Sequence, residues 1–308
     1  MYKYKKILVG LDFTKKDNDL IRYAGLVSKM SAAEKIYFTH IERKLELHQS
    51  VKEAFPELND IHEDSEPSDV EKTLMKEAVQ GQIDAYSDTK FEFIVKEGAV
   101  VNEIIRIVRD EDIDLVICGK ERGRRRGKNY AEKVARKAPC SVLIVPEGNC
   151  PKFTKIIVPV DFSEHSVNAM DEAVVFATSA QIPEIKALHV YHIPIGYYKT
   201  GKTYENFAEI MLKNAKEFFH DFLGKCEAKN IKVTPIFILE KRTLKAIEES
   251  AEEENADLLV LGSKGRTNAS AVMLGSVAEH VIHDMGIPIL AVKKKGANCN
   301  IVCALLEL

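Results

Sequence analysis

Gly262, Gly265, Gly275, Ser276 and Val277 carry the chemistry most directly readable in this chain of 308 residues. They lie in the run Asp257-Leu-Leu-Val-Leu-Gly262-Ser-Lys-Gly265, which Gly275-Ser276-Val277 follows at the head of a segment with helical spacing. The pattern reads strand, loop, helix. The first turn of a helix has unpaired N–H groups and the positive end of the helix dipole, so such a unit suits an anion. Without a Cβ, the three glycines can take φ > 0 and let the main chain approach a ligand, and the Ser276 hydroxyl can reach a phosphate oxygen. Asp161 ends a second apolar run, Lys155-Ile-Ile-Val-Pro159-Val160-Asp161, where it also reads as the N-terminal acid of a helix beginning near Ser163.

Other polar groupings promise less. Ser163, Glu164 and His165 are contiguous, but no Gly-x-Ser-x-Gly elbow accompanies them, which argues against hydrolase chemistry. His189 and His192 fall on opposite faces of a strand, so no metal site is expected there. No catalytic residue and no metal ligand are assigned.

The elements that would position these residues occur twice. Lys6-Ile-Leu-Val-Gly-Leu-Asp12-Phe-Thr14 returns as Lys155-Ile-Ile-Val-Pro-Val-Asp161-Phe-Ser163, Asp114–Gly119 returns as Asp257–Gly262, and Ser141–Val145 as Pro288–Val292. Repeats this long indicate duplicated domains and not a solenoid. The first copy reads as strands at 5–12, 35–41, 91–97, 114–119 and 141–146 with helices near 17–31, 68–87, 99–111 and 128–138. The second reads as strands at 155–161, 184–192, 231–239, 257–262 and 287–293 with helices near 164–179, 203–228, 242–254 and 274–284. Val, Ile and Leu runs alternating with amphipathic segments predict two tandem doubly wound α/β domains, each with a parallel sheet covered on both faces. The expected domains are 1–148 and 153–295, joined at Asn149-Cys-Pro-Lys152, with an apolar tail at 296–308 that should pack on the chain or a partner.

A net charge of −3 and a pI near 6.3 give no basic field to draw nucleic acid. No run reaches membrane-spanning length, and the apolar run after the N-terminus is too short for a signal peptide. Six scattered cysteines without a Cys-x2-Cys pair fit a cytoplasmic protein with reduced thiols. Two loops stand out. Arg122-Gly-Arg-Arg-Arg-Gly-Lys128 is a basic patch without Walker spacing, and His192–Gly201 carries aromatics and glycines that either flank a ligand or make a tight connection.

The spacing Gly262-x2-Gly265-x9-Gly275-Ser276 resembles the nucleotide signature of the universal stress protein family, in its ATP-binding branch. The resemblance implies a five-stranded parallel sheet in each copy and ATP, with a divalent ion such as Mg²⁺ carried on its phosphates. It implies Pro159, Val160 and Asp161 on the adenosine side, with Asp161 near the ribose, and the Val190 backbone against adenine. Gly262 and Gly265 would face ribose and α-phosphate; Gly275, Ser276 and Val277 would hold the later phosphates. The first copy departs from this pattern. Lys128, Asn129 and Tyr130 stand where Gly275, Ser276 and Val277 do, and the loop after Gly119 is shorter, so that copy is expected not to cradle a triphosphate in the same way. The implied role is a stress-response regulator or sensor, with the last strands of the two copies pairing within one chain and a homodimer as a further assembly. Two rivals stand beside it: an adenylating or ATP-hydrolysing enzyme of related fold, for which no acceptor site or general base is visible, and a nucleotide-free interaction module in which the glycines are structural.

Overall fold

A computed structural model describes residues 4–42, 50, 54, 69–83, 89–121, 130–228, 230–265 and 274–295. The first half contributes strands β1 (Lys6–Leu11), β2 (Lys35–Glu42), β3 (Lys90–Glu97), β4 (Leu115–Lys120) and β5 (Ser141–Pro146). The second contributes β6 (Ile156–Pro159), β7 (Glu184–Tyr191), β8 (Lys232–Leu239), β9 (Leu258–Gly262) and β10 (Ile289–Val292). They form one sheet in the order β3-β2-β1-β4-β5-β10-β9-β6-β7-β8. Within each half every pairing is parallel. At the centre β5 and β10 run antiparallel, with Leu143 opposite Leu290 and Ile144 opposite Ile289. The chain is a doubly wound α/β protein.

Helices on both faces explain why the inner strands are apolar throughout. In β5, Ser141-Val-Leu-Ile-Val-Pro146 is buried at every position, because neither face meets water. One face is covered by α1 (Lys16–Ser31), α2 (Asp69–Gln80), α5 (Glu164–Ser179) and α6 (Tyr204–Lys225), and the other by α3 (Val100–Asp110), α4 (Tyr130–Lys137), α7 (Thr243–Glu253) and α8 (Ser276–Asp284). Both apolar layers run across the junction: Leu143 and Leu290 share one, Ile144 and Ile289 the other. Tyr23, Phe153 and Phe176 continue the first layer with ring centroids 5.6 Å apart at each step. Polar links cross as well. Arg136 pairs with Glu279, and the Lys293 ammonium donates to the carbonyls of Arg136 and Ala138 at 2.9 Å, capping the end of α4.

Several boundaries differ from those the sequence predicts. The helix expected to 87 ends at Gln80, where Gly81 follows. Glycine readily leaves the helical region, which makes it a common helix stop. The strand expected to 161 ends at Pro159, because the chain turns sharply at Phe162, whose φ is +67°. Helix α6 stops at Lys225 because Cys226 is extended. The aromatic connection 192–201 holds a single 3₁₀ turn, Tyr197–Thr200, between Gly196 and Gly201, which have φ of 89° and 73°. Its Tyr197 ring packs on Tyr204 and Phe207 of α6, which favours the tight-connection reading. Cys118 and Cys140 are buried in strands or beside them, and burial pushes both thiols up to about 12, so they are unreactive. The loop 122–128, most of the segment 42–67 and the tail 296–308 lie outside the described residues.

Candidate functional site

In the second half the carboxyl ends of β6 and β9 open a crevice at the switch point of the strand order, where doubly wound sheets place ligands. Asp161 stands just past β6. Its Oδ1 accepts from the Ser163 N–H at 3.1 Å and the Ser166 hydroxyl at 2.6 Å, while Ser163 caps α5 by accepting from the Ser166 N–H. The helix-start reading of this residue is borne out, since the carboxylate braces the first turn of α5. A Cβ on Gly265 would lie 2.8 Å from Asp161 Oδ2, and one on Gly262 would lie 2.7 Å from the His165 carbonyl oxygen. Neither glycine is among those with positive φ. What the site needs from them is the missing side chain, and not a left-handed backbone.

Gly275 plays another part. Its N–H donates to the Ser263 carbonyl at 2.8 Å, closing the neck of the loop, and a Cβ there would come 3.4 Å from Lys264 Cα and 3.5 Å from Gly265 N. That N–H is committed within the protein. The N–H groups of Ser276 and Val277, in the first turn of α8, have no intrahelical partner, and no side chain caps this helix. Both residues are exposed. Val160 is buried, and its carbonyl contacts His189 Nδ1 at 2.8 Å. His189 stacks on Phe162 with centroids 4.1 Å apart, so it is a core residue. Pro159 pairs with Leu188 in β7, and Val190, two residues further along, is half-buried against the α7 and α8 layer.

The first half reproduces the scaffold and changes its contents. Phe13 has a φ of +58°, its ring lies 4.4 Å from that of His40, and His40 Nδ1 contacts the Leu11 carbonyl at 3.0 Å. Asp12, however, is tied to the Lys16 ammonium at 3.0 Å, and Lys16 reaches Glu121 at 3.2 Å. Partial burial works against its ionisation, but the Thr14 hydroxyl and the Lys16 ammonium hold the Asp12 carboxyl below its usual range. Asp17 sits in the place of Ser166 and accepts from the N–H groups of Asp12 and Phe13. Burial, aided by the charge on Asp12, pushes it up to about 6. Tyr130 opens α4, with its hydroxyl 3.7 Å from where a Cβ on Gly119 would lie.

The sequence pattern of the universal stress protein family matches residues 3–146 and again 152–293. The chain belongs to that family. It is 31% identical over 161 residues, 47% of its length, to a universal stress protein of Methanocaldococcus jannaschii, 98% of which is covered. It is also 24% identical to a universal stress protein E homolog of Haemophilus influenzae, over 94% of this chain and 98% of that one. A universal stress protein of Archaeoglobus fulgidus has the same fold, with a TM-score of 0.65 at 20% identity over 96% of this chain and 98% of its own. This is accordingly a tandem universal stress protein.

Of the residues that resemblance singles out, Asp161, Gly262, Gly265 and Gly275 are gathered at one neck, with Ser276 and Val277 at its exit. A cavity of about 510 Å³ adjoins Ser276 and Val277. It is lined by Ser276, Val277 and His280 from α8 and by Arg242, Thr243, Leu244, Lys245 and Glu248 at the head of α7. Sequence reasoning passed over Arg242 and Lys245, although Lys241-Arg242 before a helix marks a cationic pair whose place only the fold reveals. The larger cavity, about 570 Å³, lies in the other universal stress protein half.

Proposed function

We propose that this tandem universal stress protein binds ATP, or another adenine nucleotide, in the crevice of its second half and acts as a nucleotide-responsive regulator or sensor in stress. The observation that carries the reading is the neck itself: missing Cβ atoms leave room at Gly265 against Asp161, at Gly262 against the His165 backbone and at Gly275 against Lys264 and Gly265, next to a helix start whose N-cap residue is a glycine. Asp161 suits the ribose hydroxyls, as an acceptor. The first-turn N–H groups of α8 and the dipole behind them suit phosphate oxygens. Arg242, on the cavity wall, adds positive charge, while Lys245 beside it is paired with Glu240 and Glu249. A divalent cation such as Mg²⁺ would enter on the phosphates.

The same reading takes 1–148 and 153–295 as two domains in the cytoplasm, the second nucleotide-loaded and the first not, with association of two chains as a further level of assembly.

Calorimetric titration of ATP into the wild type and Gly275→Val tests it. A β-branched side chain there meets the Lys264 and Gly265 backbone. Affinity should fall at least about tenfold, roughly 1.4 kcal/mol, with the melting transition retained. Equal affinity in both proteins would overturn the site. Release of AMP and pyrophosphate on incubation with ATP would favour the enzyme instead.

A further inference from the structure

The cavity of the first half has a floor that the second half lacks. Gly10 and Thr39 face each other across β1 and β2, where Pro159 and Leu188 face each other across β6 and β7. Exchanging two bulky apolar residues for a glycine and a threonine hollows the space under α3, and Ile104 Cδ1 is 3.9 Å from where a Gly10 side chain would begin. The resulting cavity of about 570 Å³ falls in the range of small-molecule sites. Thr39 lines it and is 1% exposed, yet its hydroxyl has no hydrogen-bond partner in the described structure. Buried hydroxyls in native proteins are almost always satisfied, and the space beside this one is the cavity.

The rim is acidic. Asp12, Glu42 and Glu121 all line it. Lys16 answers Asp12 and Glu121. Glu42 lies opposite Glu97 in the β2–β3 register, and burial together with the neighbouring Glu71 pushes its carboxyl up. Among the described residues these carboxylates disfavour a phosphate. An ammonium would be drawn in.

We propose that the first half binds a phosphate-free organic amine: a compact apolar or aromatic body against Ile41, Val100 and Ile104, a polar edge on Thr39, and its ammonium at Glu42. The two halves then respond to ligands of opposite charge. This site does not depend on the nucleotide reading.

The absence of tryptophan makes the test direct, because indole fluorescence then reports only the ligand. The full chain is titrated with tryptamine, neutral 3-methylindole and indole-3-acetate. Tryptamine should bind roughly tenfold or more tighter than 3-methylindole, with indole-3-acetate weakest. Thr39→Val, nearly isosteric, and Glu42→Gln should each weaken tryptamine about fivefold to tenfold. Gly10→Val should abolish it by filling the floor. Gly275→Val should leave it unchanged, so failure of one site is distinguishable from failure of the other. Absence of tryptamine binding up to about 10 mM, equal binding of the three indoles, indifference to Gly10→Val and Thr39→Val, or displacement of tryptamine by ATP would each overturn the proposal.

Discussion

Two crevices in this molecule share a backbone and differ in charge. In each, an aspartate ends the first strand region, a phenylalanine in the left-handed region turns the chain, and a histidine on the next strand packs under that ring. From that common frame the second half continues with Ser163, His165 and Ser166, and the first with Thr14, Lys16 and Asp17. Where the second half leaves Asp161 braced by the Ser166 hydroxyl and the Ser163 N–H and faced by Gly265, the first ties Asp12 into an ion pair with its own lysine. A duplicated fold can thus keep its scaffold while one copy changes the charges around its aspartate.

The difference is sharpest at one pair of equivalent glycines. A methyl on Gly262 would meet the His165 carbonyl oxygen at 2.7 Å and the carbonyl carbon at 2.9 Å, both backbone atoms that cannot yield without moving α5. A methyl on Gly119 would meet Leu20 Cδ1 at 3.4 Å, a side-chain tip that can turn aside. Gly262→Ala should therefore cost about 2–4 kcal/mol, and Gly119→Ala less than about 1 kcal/mol. Urea denaturation of the two variants checks this. Similar losses would mean that the close approach of α5 to β9 is no special feature of the second half.

A smaller effect is expected at the lysine. The Lys16 side chain is 7% exposed, but its partners Asp12 and Glu121 are 37% and 39% exposed, so water screens part of the interaction. Lys16→Met should cost about 1–3 kcal/mol, below the value for breaking a fully buried pair, because it leaves Asp12, Asp17 and Glu121 crowded without their cation. His165→Met, at the equivalent position, should change stability by less than about 0.5 kcal/mol. Equal midpoints for the two variants would show that the ion pair does not hold the first crevice together.

Much of this was legible in the residues. Continuous apolar runs such as Ser141–Pro146 located the strands, and recurrence of Lys6–Thr14 at Lys155–Ser163 announced the duplication. The spacing of Gly262, Gly265 and Gly275 marked the second crevice. The physical role of those glycines was not legible, because the atoms they make way for, His165 O and Asp161 Oδ2, come from another strand and helix. The commitment of the Gly275 N–H to Ser263 was hidden for the same reason. Nor could sequence reveal the first cavity. Gly10 and Thr39 become neighbours only through the β1–β2 register, and each alone looks like an ordinary strand residue. Charge, too, depends on place: Lys16 reads as a surface lysine near a helix start until burial puts it between two carboxylates.

Asp17 gives the finest discrimination between the halves, through pH. Its carboxyl titrates at about 6 in the folded chain, against 3.8 ordinarily, because burial and the charge of Asp12 disfavour ionisation. A carboxyl with a raised folded pKa favours folding while protonated, and that contribution is lost as pH rises from about 4 through 6. Wild type should therefore lose about 1–3 kcal/mol from this group between those limits, some of it shared with Asp12. Asp17→Asn keeps an oxygen for the N–H groups of Asp12 and Phe13 and removes the titration. The difference in unfolding free energy between the variant and wild type should then grow in the variant's favour from pH 4.5 to 7. Ser166→Ala, at the same position of the second crevice, should show no such slope, since no proton is exchanged there. A flat difference for Asp17→Asn would mean that the first crevice is less crowded with negative charge than its geometry indicates, and its preference for a cation over a phosphate would weaken accordingly.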